Sequence, residues 1–283
     1  MISKTEIDVL VQLKIEVNNL KSNNRYLGAL MIAPFILFLF IGGLPLKTFI
    51  FALSLGGMYE FYKALREKEF NPITPIGYAL LLVYYLFNNN LEYLMFFIII
   101  ATFLLLIMPV INLKYTFIDV AITLLGFLYV GIFFSFIYLV DIKENGTYLI
   151  WLIFIGSWMT DTTAFYSGKL FGRRKLCPRV SPKKTIEGSI GGLIGAIIFC
   201  GLLGIFAISQ GVDISIYHFL IIGALCGVFS QFGDLVASSI KRYVGIKDYS
   251  NLIPGHGGIL DRFDSILFSA TVVFYYLTFI LKL

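Results

Sequence analysis

The chain is built from long uncharged apolar runs, and their lengths match the width of a lipid bilayer. Residues 26–46, 70–91, 93–113, 120–140, 188–212 and 214–233 contain no Asp, Glu, Lys or Arg. A helix rises about 1.5 Å per residue, so about 20 apolar residues cross a hydrocarbon core of about 30 Å. The run 265–281 is slightly shorter. Two further spans, 47–63 and 146–167, are interrupted near one end by Glu60 and Asp161. The reading is an all-α, polytopic integral membrane protein of about nine transmembrane helices. Pro34, Pro75 and Pro109 do not oppose it, because spanning helices tolerate proline. Charged residues make up 14% of the chain, against about 25% in soluble domains.

The basic residues orient the bundle. With the N-terminus inside and nine alternating spans, all of the 22 Lys/Arg except Lys47, Lys143 and Lys282 fall on the inner side. That is the bias expected of cytoplasmic segments. The C-terminus is then external, and the protein is expected in the cell (plasma) membrane with its polar loops in the cytoplasm. Residues 1–25 form an amphipathic cytoplasmic arm, with Leu10, Leu13, Val17 and Leu20 at helical spacing. The arm either lies on the bilayer, pairs with a second copy as a homodimer, or is a solvated extension. No cleavable signal pattern is present. Five spans follow in 26–145. Four more follow in 146–283, with long cytoplasmic loops at 168–187 and 237–258. The net charge of +5 is modest and suggests no nucleic-acid partner. Cys177, Cys200 and Cys226 are far apart and read as apolar packers.

The polar residues cluster near the inner ends of the last four spans. The loop GKLFGRRKLCPRVSPKKTIEG carries Lys169, Arg173, Arg174, Lys175, Arg179, Lys183 and Lys184 against one acid, Glu187. It is either an anchor for anionic headgroups or a surface that binds polyphosphate. Thr185 reads as the N-cap of the following helix. Asp161 lies one turn inside a span, where a carboxylate normally faces a partner or a water-filled cavity. Glu60 is read as pairing with Lys63, three residues on. Asp234 has no basic residue one turn away, so it needs a remote arginine or a divalent metal. Beyond it the chain reads SSIKRYVGIKDYSNLIPGHGGILDRFD, from Ser238 to Asp264. Lys241, Arg242 and Lys247 precede a Pro254-Gly255-His256-Gly257-Gly258 turn. Glycines ahead of a helix N-terminus let backbone N–H groups approach anions. Asp261 and Asp264 then share one face of a first helical turn, with Arg262 between them. Acids there are either dipole partners or metal ligands. His256 binds phosphate, orients the turn or acts as a base; His218 reads as an interfacial packer.

The Ser238–Asp264 stretch resembles the signature of the phosphatidate cytidylyltransferases (CDP-diacylglycerol synthases), without departure. The segment from Ser181 to Gly188, and Asp161 with the following Gly-Lys-Leu-Phe-Gly, resemble the same family. The likeness is strong over residues 155–283 and general before that. It implies transfer of CMP from CTP to phosphatidic acid, giving CDP-diacylglycerol and pyrophosphate for phospholipid biosynthesis. It further implies an Mg²⁺ site on Asp234, Asp261 and Asp264, with a monovalent cation such as K⁺ nearby. Lys241, Arg242, Lys247, Lys183 and Lys184 would hold the triphosphate or the lipid phosphate, with Asp161, Arg262, Gly257 and Gly258 at the substrate's border. The competing readings are a CTP-dependent lipid kinase, a cytidylyltransferase for another lipid phosphate, and an ion-coupled transporter.

Overall fold

The computed structural model of the chain describes residues 35–87, 92–253 and 257–283, so the 1–25 arm and His256 lie outside the described residues. A short helical segment at 35–41 leads into α1 (Gly43–Arg66). It is followed by α2 (Thr74–Phe87), α3 (Glu92–Ile111) and α4 (Phe117–Asp141). Then come α5 (Trp151–Phe171), α6 (Ile186–Ser209), α7 (Ile216–Val244) and α8 (Leu260–Ile280). Between α5 and α6 lie two short antiparallel strands, β1 (Lys175–Cys177) and β2 (Ser181–Thr185).

The architecture is helical, as the apolar runs require. Among the described residues, α4, α6, α7 and α8 are long and apolar enough to cross a membrane by length and composition. The count of nine spans is not reached on that basis. α1 and α5 are long, but they carry Lys47, Glu60 and Lys63, and Asp161 and Lys169. α2 has only 14 residues.

Three boundaries differ from expectation, each for a local reason. The break expected between residues 46 and 47 falls at Gly42–Gly43, where φ is +64° and +57°. Only glycine takes such angles cheaply. The Gly43 N–H donates to Asp141 Oδ2 at the end of α4 (2.7 Å), and Pro45 falls in the first turn of α1, where its missing N–H costs nothing. The 168–187 loop is not plain coil. Pro178 and Pro182 exclude helix there, and the chain pairs Lys175 with Thr185 as a hairpin. Finally, α7 runs on through the polar stretch to Val244 and stops at Gly245, with φ +88°. A left-handed glycine is a frequent helix terminator. Ser238, Lys241 and Arg242 therefore sit on a helix, not in a loop, and Asp234 is helical as expected.

Small residues set the packing of α5–α8. A Cβ on Gly223 would lie 2.7 Å from the Ala196 carbonyl, and one on Gly227 would lie 2.9 Å from Leu193 Cα. In a bilayer, where lipid is as apolar as leucine, such close approach supplies much of the helix–helix attraction. Phe263 of α8 is the joint to the N-terminal half: its ring meets Phe35 at 5.1 Å and Phe134 at 5.2 Å.

Glu60 makes the second joint. It is 2% exposed and does not pair with Lys63. Its Oε1 accepts from Ser250 Oγ (2.6 Å) and Ile259 N (2.9 Å), and its Oε2 accepts from Leu260 N (2.9 Å). The α1 carboxylate thus caps α8, satisfying N–H groups that have no partner within the helix. Gly258 is tied to this cap, since a Cβ there would fall 2.6 Å from both Glu60 oxygens. Replacing Glu60 by Gln sets an NH₂ against backbone donors and should cost about 2 kcal/mol. Thermal unfolding in detergent should show the loss for Glu60→Gln and for Gly258→Ala, with the double variant less destabilised than the sum.

Candidate functional site

The site forms where α5, the start of α6 and α7 meet the β-hairpin, with the start of α8 packed against α7. Thr185 ends β2 and caps α6, its hydroxyl accepting from Gly188 N at 3.1 Å. Glu187, in the first turn of α6, accepts from the backbone N–H of Arg173 (3.0 Å) and Arg174 (3.2 Å). The one acid of the basic loop thus binds its backbone and leaves the side-chain cations for other partners. These contacts hold the hairpin across the mouth of a cavity of about 420 Å³. Asp161, Lys169, Lys183, Lys184, Thr185, Gln231 and Asp234 line it. Phe165 and Leu176 complete the wall, and Phe165 is 64% exposed. The lining therefore combines charged groups of both signs with apolar side chains.

Asp234 is neutralised by Lys184 rather than by an arginine. Lys184 Nζ lies 2.5 Å from Asp234 Oδ2, while Ser238 Oγ donates to Oδ1 at 3.2 Å. Asp161 takes a hydrogen bond from Ser265 Oγ at 3.4 Å, and Ser265 accepts one from Ser157 at 2.9 Å. Asp264 is buried on the first turn of α8, and its Oδ1 accepts from Ser265 N at 2.8 Å. The approach of α7 to α8 depends on Gly233, because a Cβ there would collide with the Asp264 carbonyl. Asp161, Asp234 and Asp264 lie within one another's electrostatic fields, and Lys184 and Lys241 are the cations that reach them.

Asp261 has a different setting. Its Oδ1 pairs with Lys241 Nζ at 2.7 Å, and its Oδ2 accepts from Tyr249 N (2.8 Å) and Gly258 N (2.9 Å). It pins the loop between α7 and α8, which Ile253 and Gly257 close by paired backbone hydrogen bonds of 2.9 and 3.1 Å. Gly257 has φ +85°, and a Cβ there would meet Asp261 Oδ2. Lys241 also lies over the Tyr249 ring, 5.4 Å from its centroid.

The expected residues thus divide into groups. Asp161, Lys183, Lys184 and Asp234 meet at the cavity. Lys241, Asp261, Gly257 and Gly258 form the bracing network beside it, with Asp264 between the two. Arg242, Lys247 and Arg262 are exposed on the same polar region. His218 hydrogen-bonds Tyr276 at 2.9 Å on α8. Sequence reasoning missed Glu60, Ser265 and Tyr249. Glu60 carried the signal used for Asp234, a carboxylate inside an apolar span, but the nearby Lys63 supplied a local explanation.

Among the described residues, no three His, Cys, Asp or Glu side chains converge as a ready cation cage. Mg²⁺ does not need one, since it is commonly held by one or two carboxylates together with waters and substrate phosphates. Asp234 and Asp264 fit that description. Asp261 joins them only by releasing Lys241 from its Oδ1.

The chain is similar to several characterised proteins. It is 34% identical over 260 residues to a protein of Bacillus subtilis named phosphatidate cytidylyltransferase, covering 88% of this chain and 95% of that one. It is 43% identical over 155 residues to a protein of the same name from Staphylococcus saprophyticus. A Staphylococcus aureus protein, again with that name, is 43% identical over 157 residues. Each staphylococcal alignment covers 55% of this chain and 58% of the relative's length. The pattern of the cytidylyltransferase family matches residues 23–280. With that match across most of its length, the chain belongs to the cytidylyltransferase family.

Proposed function

We propose that this protein is a phosphatidate cytidylyltransferase, which transfers CMP from CTP to phosphatidic acid with release of pyrophosphate. The observation that carries this reading is the cavity itself. It gathers Lys169, Lys183 and Lys184 with Asp161 and Asp234, and the exposed ring of Phe165 is part of the same lining. Such a site suits an amphiphile with a phosphate head. The names of the relatives point to the same activity.

In this mechanism a phosphate oxygen of phosphatidate attacks the α-phosphorus of CTP. The bond from that phosphorus to the bridging oxygen breaks, and pyrophosphate leaves. The nucleophile is already an anion, so no strong base is required. Lys183 and Lys184 bind phosphate oxygens, and Lys184 exchanges its Asp234 partner for substrate. Lys241, braced by Asp261, supplies fixed positive charge where the pyrophosphate charge develops. Phe165 and the exposed apolar face of α5 accommodate the acyl chains. Arg242, Lys247 and Arg262 add to the cationic field that draws in nucleotide.

Asp234 and Asp264 would hold Mg²⁺, while Asp261 keeps Lys241 in place beside them. When bound, the ion would neutralise phosphate charge and help orient the triphosphate. K⁺ would be a second, monovalent occupant of the same acidic region. The site faces the cytoplasm in this reading, which the distribution of basic residues supports.

Purified protein given CTP, Mg²⁺ and phosphatidic acid should form CDP-diacylglycerol and pyrophosphate. Free CDP with a phosphorylated lipid would indicate a kinase instead. Asp264→Asn should lower kcat about 100-fold or more without loss of folded protein, read by product formation and gel filtration. Lys184→Met should chiefly raise the KM for CTP, by about tenfold. Full activity in both variants would remove these residues from the mechanism.

A further inference from the structure

Tyr129 is 5% exposed, and its hydroxyl has no hydrogen-bond partner among the described residues. Two buried serines, Ser230 and Ser269, share that condition. A helical serine can turn to the carbonyl one turn back. A tyrosine cannot, because the ring carries its hydroxyl away from its own backbone. The orphan phenol therefore calls for a partner that arrives from elsewhere.

Its position suggests which partner. Tyr129 lies in a π-helical turn, Phe127–Ile132, in the middle of α4. Such turns insert an extra residue, redirect side chains and recur at functional sites. The ring is held by Phe61 of α1 (6.0 Å between centroids), Phe133 of α4 (6.0 Å) and Phe268 of α8 (6.2 Å). Phe268 follows Asp264 by four residues, so the two share a face of α8. Phe268 also lies at the closest approach of α7, 2.9 Å from where a Cβ on Gly233 would be. Gly233 precedes Asp234. The phenol thus sits beneath the crossing that carries both acids, and Asp264 and Asp234 are the charges acting on it. Asp264 Oδ1 is occupied by Ser265 N, which leaves Oδ2 to take a second donor.

We propose that Tyr129 is a positioning residue of the phosphoryl-transfer site, whose hydroxyl donates to the Asp264 carboxylate in the loaded enzyme and fixes the direction in which Asp264 meets the phosphate–cation complex. The inference rests on the cytidylyltransferase reading, and it brings a residue of the N-terminal half into the site. The structure shows no hydrogen bond on the Tyr129 hydroxyl, and catalytic contacts often tighten only on substrate binding.

Tyr129→Phe removes one oxygen and keeps the ring contacts. The full-length variant should fold and melt within about 2 °C of the parent. Its kcat should fall about tenfold while the KM for CTP stays within about twofold. The Mg²⁺ midpoint for thermal stabilisation, measured with a non-reacting CTP analogue and no turnover, should rise about threefold. Combined with Asp264→Asn, Tyr129→Phe should add no further loss, because it acts through that carboxylate. Unchanged kcat and Mg²⁺ midpoint would overturn the proposal. So would a Tyr129→Phe chain that fails to fold, since the hydroxyl has no hydrogen-bond partner among the described residues. If the parent protein made no CDP-lipid but its Mg²⁺ midpoint still responded to Tyr129→Phe, the functional reading would fail and this one would stand.

Discussion

A carboxylate inside an apolar bundle must find donors, and the polar end of this structure is organised by how its acids do so. An unpaired charge at such depth costs several kcal/mol, so each acid dictates what comes near it. Glu60 gathers Ser250 and the first N–H groups of α8. Asp261 gathers Lys241 and the backbone of the α7–α8 loop. Asp234 takes Lys184 from the hairpin. Three contacts between distant parts of the chain therefore have one cause, and together they bring α1, the hairpin and the last two helices to one place.

The acids differ in how fully they are satisfied. Glu60 and Asp261 each have both oxygens occupied by short hydrogen bonds, two of them from backbone groups that cannot move away. Such groups brace. Asp234 relies on a lysine tip and a serine hydroxyl, and Asp161 on one long hydrogen bond. Such groups can exchange partners when substrate arrives. The division between scaffold and working site follows from which donors are flexible.

Much of this was legible in the sequence. The apolar runs located α1 to α6, the start of α7, and α8 to within a few residues, because charge is expensive inside a span. The charge-rich stretches marked the polar end, because charges are expensive elsewhere. Thr185 was readable as a cap from its place ahead of an apolar run, and it caps α6. What escaped was whatever depended on long-range pairing. Glu60 lies 199 residues before Ile259, and nothing local announces that contact. The helical state of Lys241 escaped because hydropathy ends at about residue 233, whereas the helix ends only where Gly245 turns it. Charge marks where a span leaves the apolar slab, but backbone conformation decides where the helix stops.

That continuation of α7 bears on how the site responds to its surroundings. Asp234, Ser238 and Lys241 lie on one unbroken helix, so about 10 Å of axial distance separates the acid from the lysine. Membranes vary in thickness, and spanning helices adjust to them by tilting. A tilt of α7 carries these three groups together as a rigid strut and leaves their spacing unchanged. Had the helix ended where the apolar run does, Lys241 would hang from a flexible loop whose position followed the headgroup layer. Extending the helix past the hydrocarbon boundary uncouples the electrostatics of the site from the thickness of the lipid around it.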